Sequence, residues 1–459
     1  MYPSDLAPAD ARLPARLLRH AVELYRLAWP VMLSRAGILT LSLADIIMVG
    51  QYDTASLAHI AMGYAVFVPI MVTGIGTLTG IVAVTARHVG AGDWTEAAAT
   101  FRRGLAWTAG IALLSTGLIW FAETWLHLIG QGPDLAAGGG LIARWLAPGA
   151  ALQVLFIGVC FYLEGTKRML PGLVLMAIAN LVNVVGNWLL IGGELGLPEM
   201  GAEGAALASV LARLVMAAGI LWYALRLPEI RRLPTSGIWG PGGWRAAREI
   251  RVIGLASGVA YFFEVMSFAW LNQVAGLISP VALAAYSIAH QVEATIFMVA
   301  LGLAVATAVR VGQARGARRM AEARFAGWFG LAATMGTVAL LSGLVVSGAS
   351  SLGTLFSSDP AMVARTAPLF VVLAISLVFD GGQVVVGQAN RALGDSWPTT
   401  FCLFLAFWGV MLPLGTWLGL ETPLAEAGLF IATACGCAVA VGLLALRFSQ
   451  LVRRAEMER

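Results

Sequence analysis

The sequence predicts an all-α integral membrane protein, with twelve transmembrane helices in two six-helix bundles related by a pseudo-two-fold axis along the membrane normal. Three observations predict it. The 459 residues are 59% hydrophobic and only 12% charged, with a mean hydropathy of +0.82. A soluble domain averages about 25% charged residues, so most of this surface must face lipid. At roughly 20 residues per crossing, twelve apolar segments can be marked off, and landmarks in the first six recur in the last six. Helices are the expected spanning element, because lipid offers the backbone no other hydrogen-bond partner. The alternation of barrel strands is absent.

The segments centre near residues 38, 70, 112, 150, 180, 213, 262, 295, 337, 375, 408 and 437. The residues ahead of the first carry Asp5, Arg12, Arg16 and Arg19 but no short apolar stretch ending in a cleavage site, so the first helix reads as a retained span. It contains Asp45, within residues 36–50 (AGILTLSLADIIMVG). Between helices two and three, residues 89–104 read VGAGDWTEAAATFRRG; the matching connection in the second half, residues 311–327, reads VGQARGARRMAEARFAG, at an offset of 222. Helix four starts near Arg144 and ends near Glu164, Lys167 and Arg168; its counterpart, helix ten, starts near Arg365, 221 residues on. Helix five carries Asn180, Asn183 and Asn187. Helix six opens with Gly204, matched by Gly428 of helix twelve at an offset of 224. Residues 228–243 (PEIRRLPTSGIWGPGG) form a polar, Pro/Gly-rich joint, which gives an N-terminal lobe over 1–226, a linker over 227–246 and a C-terminal lobe over 247–459. Several landmarks agreeing on one period make internal duplication the reading. Parallel repeats of this kind place their sites at the interface between halves.

Charge placement sets the expected orientation. Most of the 29 Lys and Arg residues fall in the termini and even-numbered loops, whereas Asp53, Glu194, Glu199, Glu203 and Glu421 fall in odd-numbered ones. The positive-inside rule then puts both termini in the cytoplasm, in a multi-pass protein of the cell (inner) membrane. The net charge of +4 is this asymmetry and not a nucleic-acid patch.

Three carboxylates stand out inside apolar runs: Asp45, Glu264 in residues 253–268 (IGLASGVAYFFEVMSF), and Asp380 in residues 369–386 (LFVVLAISLVFDGGQVVV). An ionised side chain at the centre of a membrane helix costs roughly 2.5–3.5 kcal/mol on insertion scales, so such groups mark ion or substrate pathways. Asp45 and Glu264 occupy the first helix of each half, 219 residues apart. On helix five, Asn183 and Asn187 share a face and Asn180 lies a turn earlier. These amides fit either a carboxylate or ion, or hydrogen-bond glue between helices. Gly381 and Gly382 either loosen helix ten beside Asp380 or let a neighbouring helix approach. On helix eight, His290 and Glu293 are three apart; they form a proton relay, or Glu293 simply holds His290 and lines a cavity. Arg35 is expected to snorkel or pair with an acid. Glu164 is expected to form a solvated ion pair beside Lys167 and Arg168. Tyr64, Met266 and Met298 are expected to soften a cavity, or to lie in the core.

Other chemistry is excluded. The single lysine, Lys167, follows Thr166, so there is no phosphate-binding Gly-Lys-Ser/Thr loop for ATP. Cys160, Cys402, Cys435 and Cys437 lie in spans, with Cys435 and Cys437 pointing different ways, so disulfides and cysteine metal sites are not expected. No nucleophile constellation suggests an enzyme, and no cofactor is called for.

Residues 27–32 (LAWPVM), 45–50 (DIIMVG), 89–92 (VGAG), 183–193 (NVVGNWLLIGG), 201–208 (GAEGAALA) and 289–292 (AHQV) resemble the multidrug and toxic compound extrusion (MATE) family. The resemblance covers essentially all twelve helices. Having Asp45, Glu264 and Asp380 together is similar to its NorM-like branch. It implies a V-shaped antiporter that expels organic cations and drugs in exchange for sodium or protons by alternating access. It also implies that Glu264 and Asp380 form the second-lobe cation site, binding Na⁺ if sodium is the coupling ion, while Asp45 works with Asn180, Asn183 and Asn187. A flippase for lipid-linked saccharides of the same superfamily is the alternative. That activity calls for an arginine-rich cavity, and only Arg35 and Arg213 lie well inside the spans. Nothing in the sequence requires more than a monomer.

Overall fold

The structure is a computed structural model that describes residues 13–232, 243–356 and 360–457. Asp5, Arg12, Arg459 and most of the polar joint (233–242) lie outside the described residues, as does the side chain of Arg16. All regular structure among the described residues is helical. Eleven helices are long and apolar enough to cross a bilayer: Leu17–Tyr52, Ser56–Gly90, Pro133–Gly165, Leu170–Ile191, Gly201–Leu225, Arg248–Ile278, Pro280–Gly316, Met320–Ser347, Met362–Ala392, Trp397–Leu420 and Glu426–Met457. Trp94–Trp120 and Ala122–Leu128, bent by 56°, together supply a third span in chain order, making twelve. Each expected segment centre falls inside one of them.

The spans break where the sequence frees backbone carbonyls, and side chains recapture them, as an apolar solvent requires. In the Gly-rich stretch of the second span, Thr54–Gly76 gives way to Thr79–Gly90. There Thr77 Oγ1 donates to Gly74 O (2.6 Å), and the indole of Trp107 donates to Thr77 O (2.9 Å). At the bend of the third span, Trp125 Nε1 donates back to Leu118 O at 2.9 Å. In the eleventh, the ring of Pro413 cannot coexist with a regular turn before it. The helix widens into a π turn over Leu405–Met411.

The repeat is visible in the turns. Left-handed backbone occurs at Gly92 and Arg318, at Lys167 and Gly394, and at Gly201 and Ala425, so equivalent turns in the two halves need the same strained residue. The basic residues Arg144 and Arg365, expected to begin their helices, lie inside helices that start at Pro133 and Pro360, and both find acids. Arg144 Nη2 meets Glu123 Oε2 at 2.7 Å, and Arg365 grips both oxygens of Glu426 at 2.5 and 3.0 Å.

By contacts the chain forms two compact units. One comprises Leu33–Thr85 and Asp93–Tyr261; the other comprises the residues through Met32, Ala86–Gly92 and those from Phe262 onward. The unit boundaries thus fall inside the first, second and seventh spans and just beyond the second. Within the first of these units, Gly80 and Gly254 permit backbone contact: a Cβ on either would sit 2.1 Å from a carbonyl oxygen, of Ile250 and Thr77 respectively. Gly90 and Gly316 do the same in the other unit, facing Gln313 O and Arg87 O at 2.0 Å. Small residues at such crossings are how membrane helices gain van der Waals contact without a hydrophobic driving force. Gly80→Val should therefore lower the thermal midpoint in detergent by several degrees, an overpacking cost of about 1–3 kcal/mol or more. Gly110→Ala, where a Cβ meets nothing within 4 Å, should leave the midpoint unchanged.

Candidate functional site

Asp45 is fully buried in the first span, and four donors converge on it. Tyr64 Oη and Ser209 Oγ each donate to Oδ2 at 2.5 Å; Asn183 and Asn187 Nδ2 each donate to Oδ1 at 2.8 Å. The second, fifth and sixth spans thus all contribute. Asn183 and Asn187 reach one oxygen because a spacing of four stacks them on one helix face. Asn180, expected with them, does not join: its amide donates to Gly37 O (3.1 Å) and Met176 O (2.9 Å) and ties the fifth span to the first. For Asn180 the glue alternative is the one observed. The amide oxygens of Asn183 and Asn187 are buried without partners. Beside this cluster the Arg213 guanidinium lies 5.0 Å over the Phe67 ring, and its Nε donates to Gln153 Oε1 at 2.9 Å.

The second cluster lies in the other unit. Gln383, one turn beyond Asp380, donates through a single Nε2 to Asp380 Oδ1 and to Glu264 Oε1, both at 3.2 Å. The Cys437 thiol approaches Asp380 Oδ1 at 3.7 Å. Asp380 is buried and Glu264 half-buried. Electrostatically, Asp380 feels Glu264 and Glu293, and Glu264 feels Arg391. Glu293 is buried, with Oε2 3.0 Å from His290 Nδ1. The tenth span stays helical through Gly381 and Gly382. A Cβ on Gly381 would meet Val338 and Ala300 at 3.2–3.3 Å, and one on Gly382 would meet Val441 at 3.1 Å. Close helix packing, and not exposed carbonyls, is therefore what these glycines provide. Among the described residues no group of three or more His, Cys, Asp or Glu gathers as a metal site. A sodium ion at Glu264 and Asp380 would need the Gln383 amide turned to present its oxygen. Phe263, next to Glu264, packs its ring 4.9 Å from Phe404 and 5.5 Å from Trp408, centroid to centroid.

Arg35 and Glu164 answer their expectations differently. Arg35 does pair with an acid, through Nη2 to Glu164 Oε1 at 2.9 Å. The solvated pair expected of Glu164 with Lys167 and Arg168 is corrected: Glu164 is 5% exposed, and Arg168 pairs with Glu229 instead. The left-handed turn at Lys167 carries the basic residues away, while Glu164, one turn back, faces inward. Tyr64, expected to soften a cavity, is instead a ligand of Asp45. Ser209, Gln383 and Cys437 had no part in the expected site. Gln383 has a readable signal in its spacing of three from Asp380; Ser209, a lone hydroxyl in an Ala-rich helix, has none.

A duplicated, twelve-span helical protein with carboxylates gathered inside each half belongs to the class of multi-pass membrane transporters, not enzymes. The MatE family model matches residues 30–189 and again 256–417, once per half. The chain belongs to this MATE family, in its NorM-like branch. It is 36% identical over 457 residues to a "Probable multidrug resistance protein NorM" of Caulobacter vibrioides, covering 98% of this chain and 96% of the relative. It is 29% identical to "Multidrug resistance protein PmpM" of Pseudomonas aeruginosa over 96% of this chain and 93% of that protein. The fold is similar to the crystal structure of the eukaryotic MATE transporter AtDTX14, with a TM-score of 0.86 at 19% identity, covering 96% and 99% of the two chains. It is also similar to an outward-facing multidrug resistance MATE transporter, with a TM-score of 0.84 at 19% identity, covering 98% and 100%.

Removing one ligand tests how tightly the Asp45 cluster is matched. Asn187→Ala leaves Oδ1 with Asn183 alone and should cost about 1–3 kcal/mol of stability, read as a lowered detergent Tm. For the buried ion pair, Arg35→Met strands Glu164 and should cost about 3–5 kcal/mol, whereas the double variant Arg35→Met/Glu164→Leu should recover most of that loss. A thermal-shift double-mutant cycle checks both values.

Proposed function

We propose that the chain is a secondary active antiporter of the cell (inner) membrane, with both termini cytoplasmic, that expels organic, mostly cationic and amphiphilic compounds in exchange for Na⁺ or H⁺. The observation that carries this reading is the charge imbalance of the second cluster. Glu264 and Glu293 both bear on Asp380, while the three acids are faced by one shared amide, the Cys437 thiol, the His290 imidazole and one guanidinium, Arg391. Burying unpaired negative charge is costly, so such a cluster calls for a cation, and a proton, a sodium ion and an organic cation all qualify. Competition among these at Glu264 and Asp380 is antiport in its simplest form. Two further observations support the efflux reading. Phe263, the residue before Glu264 in the chain, packs its ring against Phe404 and Trp408, and aromatic faces attract cations. The multidrug resistance proteins of Caulobacter vibrioides and Pseudomonas aeruginosa match almost the full chain.

Asp45 is a second, proton-sensitive station in this scheme. Its movement is linked to the alternation of the lobes 1–226 and 247–459, and a single monomer suffices. The flippase alternative calls for arginines available to a diphosphate. Arg35 is committed to Glu164, and Arg213 donates to Gln153.

The test is uptake of a fluorescent organic cation into proteoliposomes with proton and sodium gradients imposed separately. Wild-type protein should accumulate it against one gradient and lose accumulation with the matching ionophore. Glu264→Gln and Asp380→Asn should each lower gradient-driven transport at least on the order of tenfold, about 1.4 kcal/mol of lost coupling. Full transport in both variants would remove the second cluster from the mechanism.

A further inference from the structure

Glu293 is 3% exposed in the eighth span. Its Oε2 is held by His290 Nδ1 at 3.0 Å, and its Oε1 is buried with no hydrogen-bond partner. A carboxylate oxygen in that position lacks a proton or a cation. His290 leaves 40% of its side chain exposed. Its ring stacks on Tyr286 (5.9 Å, 7°) and lies 5.4 Å from Phe268, which fixes its plane. A histidine in an apolar span that keeps this exposure opens to water and not to hydrocarbon. One end of the pair is therefore wet and the other dry.

The groups that face Glu293 come from four spans. On its own helix are His290 and the Tyr286 hydroxyl, itself buried without a partner. Asp380 of the tenth span and Cys437 of the twelfth both feel its charge. Glu264 of the seventh acts on the same Asp380 and Cys437, and Arg391 acts on Glu264. The dry end of the pair thus sits in the field of the second carboxylate cluster.

We infer that His290 and Glu293 form a proton conduit, by which a proton enters at the exposed imidazole and is held on the buried carboxylate of Glu293. This rests on the antiport reading above and names protons as the coupling ion. Chemically, neutral His290 donates its Nδ1 hydrogen to Oε2 and accepts an incoming proton on Nε2. The imidazolium then passes its Nδ1 proton to Oε2. The products are a neutral imidazole with its hydrogen on Nε2 and a protonated Glu293, so one proton has moved inward with no net change of charge at His290, which has exchanged one tautomer for the other. Neutralising Glu293 removes one of the charges bearing on Asp380, and the site's preference for an organic cation falls accordingly. Release along the same path restores it. Glu293 is therefore a positioning and relay group, and Asp380 with Glu264 remains the place where ion and substrate compete.

Full-length protein in proteoliposomes, with tetraphenylphosphonium as the probe, tests this. Wild type should be driven by a proton gradient, with an uptake rate that depends on pH. Glu293→Gln and His290→Asn should each lower proton-driven uptake on the order of tenfold and flatten that pH profile; His290→Asn, which keeps the buried acid, should retain equilibrium binding of the probe, whereas Glu293→Gln should weaken it. Glu293→Asp should restore part of the rate. If Glu293→Gln does not fold, His290→Asn, which keeps the buried acid, carries the test. An unchanged pH profile in the folded variants overturns the conduit but leaves antiport standing. So does wild-type transport driven by sodium alone. Absence of any gradient-driven transport in wild type overturns both.

Discussion

An apolar solvent cannot hydrogen-bond, and this one constraint orders the whole molecule. Every carbonyl released by a helix break and every carboxylate placed in a span must find its partner within the protein. Thr77 and Trp107 at the break of the second span, and Trp125 at the bend of the third, are answers to that demand made by single side chains. Asp45 is the same answer made by four helices at once. Its donors come from the second, fifth and sixth spans, so the carboxylate pins together the half in which it lies.

The two halves repeat their geometry but not their chemistry. Paired left-handed turns and paired arginines show the duplication in the backbone. The acids, by contrast, have diverged in how well they are satisfied. Asp45 has as many donors as its two oxygens readily accept, whereas Glu264 and Asp380 divide a single amide hydrogen-bonding group. A saturated carboxylate is a structural hub that resists a new ligand. An unsaturated pair invites one. Duplication followed by unequal satisfaction is a physical route from two equivalent lobes to an anchor and a binding site.

The spans were readable because lipid imposes a composition and a length that nothing else in a protein imitates. Asp45, Glu264 and Asp380 were readable for the same reason, since an acid in such a run is conspicuous. Asn183 and Asn187 followed from a spacing of four. What could not be read is what depends on two helices meeting. Ser209 is one hydroxyl among alanines until the sixth span is set against the first. Glu164 stands three residues from a lysine in the sequence, yet a left-handed turn at Lys167 separates them and Arg35 arrives from 129 residues away. Gly381 and Gly382 allowed two readings until Val338, Ala300 and Val441 were seen to press on them.

The spare acceptors of the Asp45 cluster show how an anchor can also respond. Asn183 and Asn187 spend their amide hydrogens on Asp45 and leave their own oxygens buried and unpartnered. An amide presents a donor and an acceptor on the same planar group, separated by a half-turn. Were Asp45 to take a proton, its new hydroxyl would need an acceptor, and a half-turn of either amide would present one without moving a helix. The cluster can thus exchange one hydrogen-bond pattern for another within the same volume. Arg213, over Phe67 and bonded to Gln153, sits close enough to act electrostatically on Tyr64, one of the donors to Asp45. Asp45 is thus matched within its own half, while Glu264 and Asp380 in the other half are less fully satisfied.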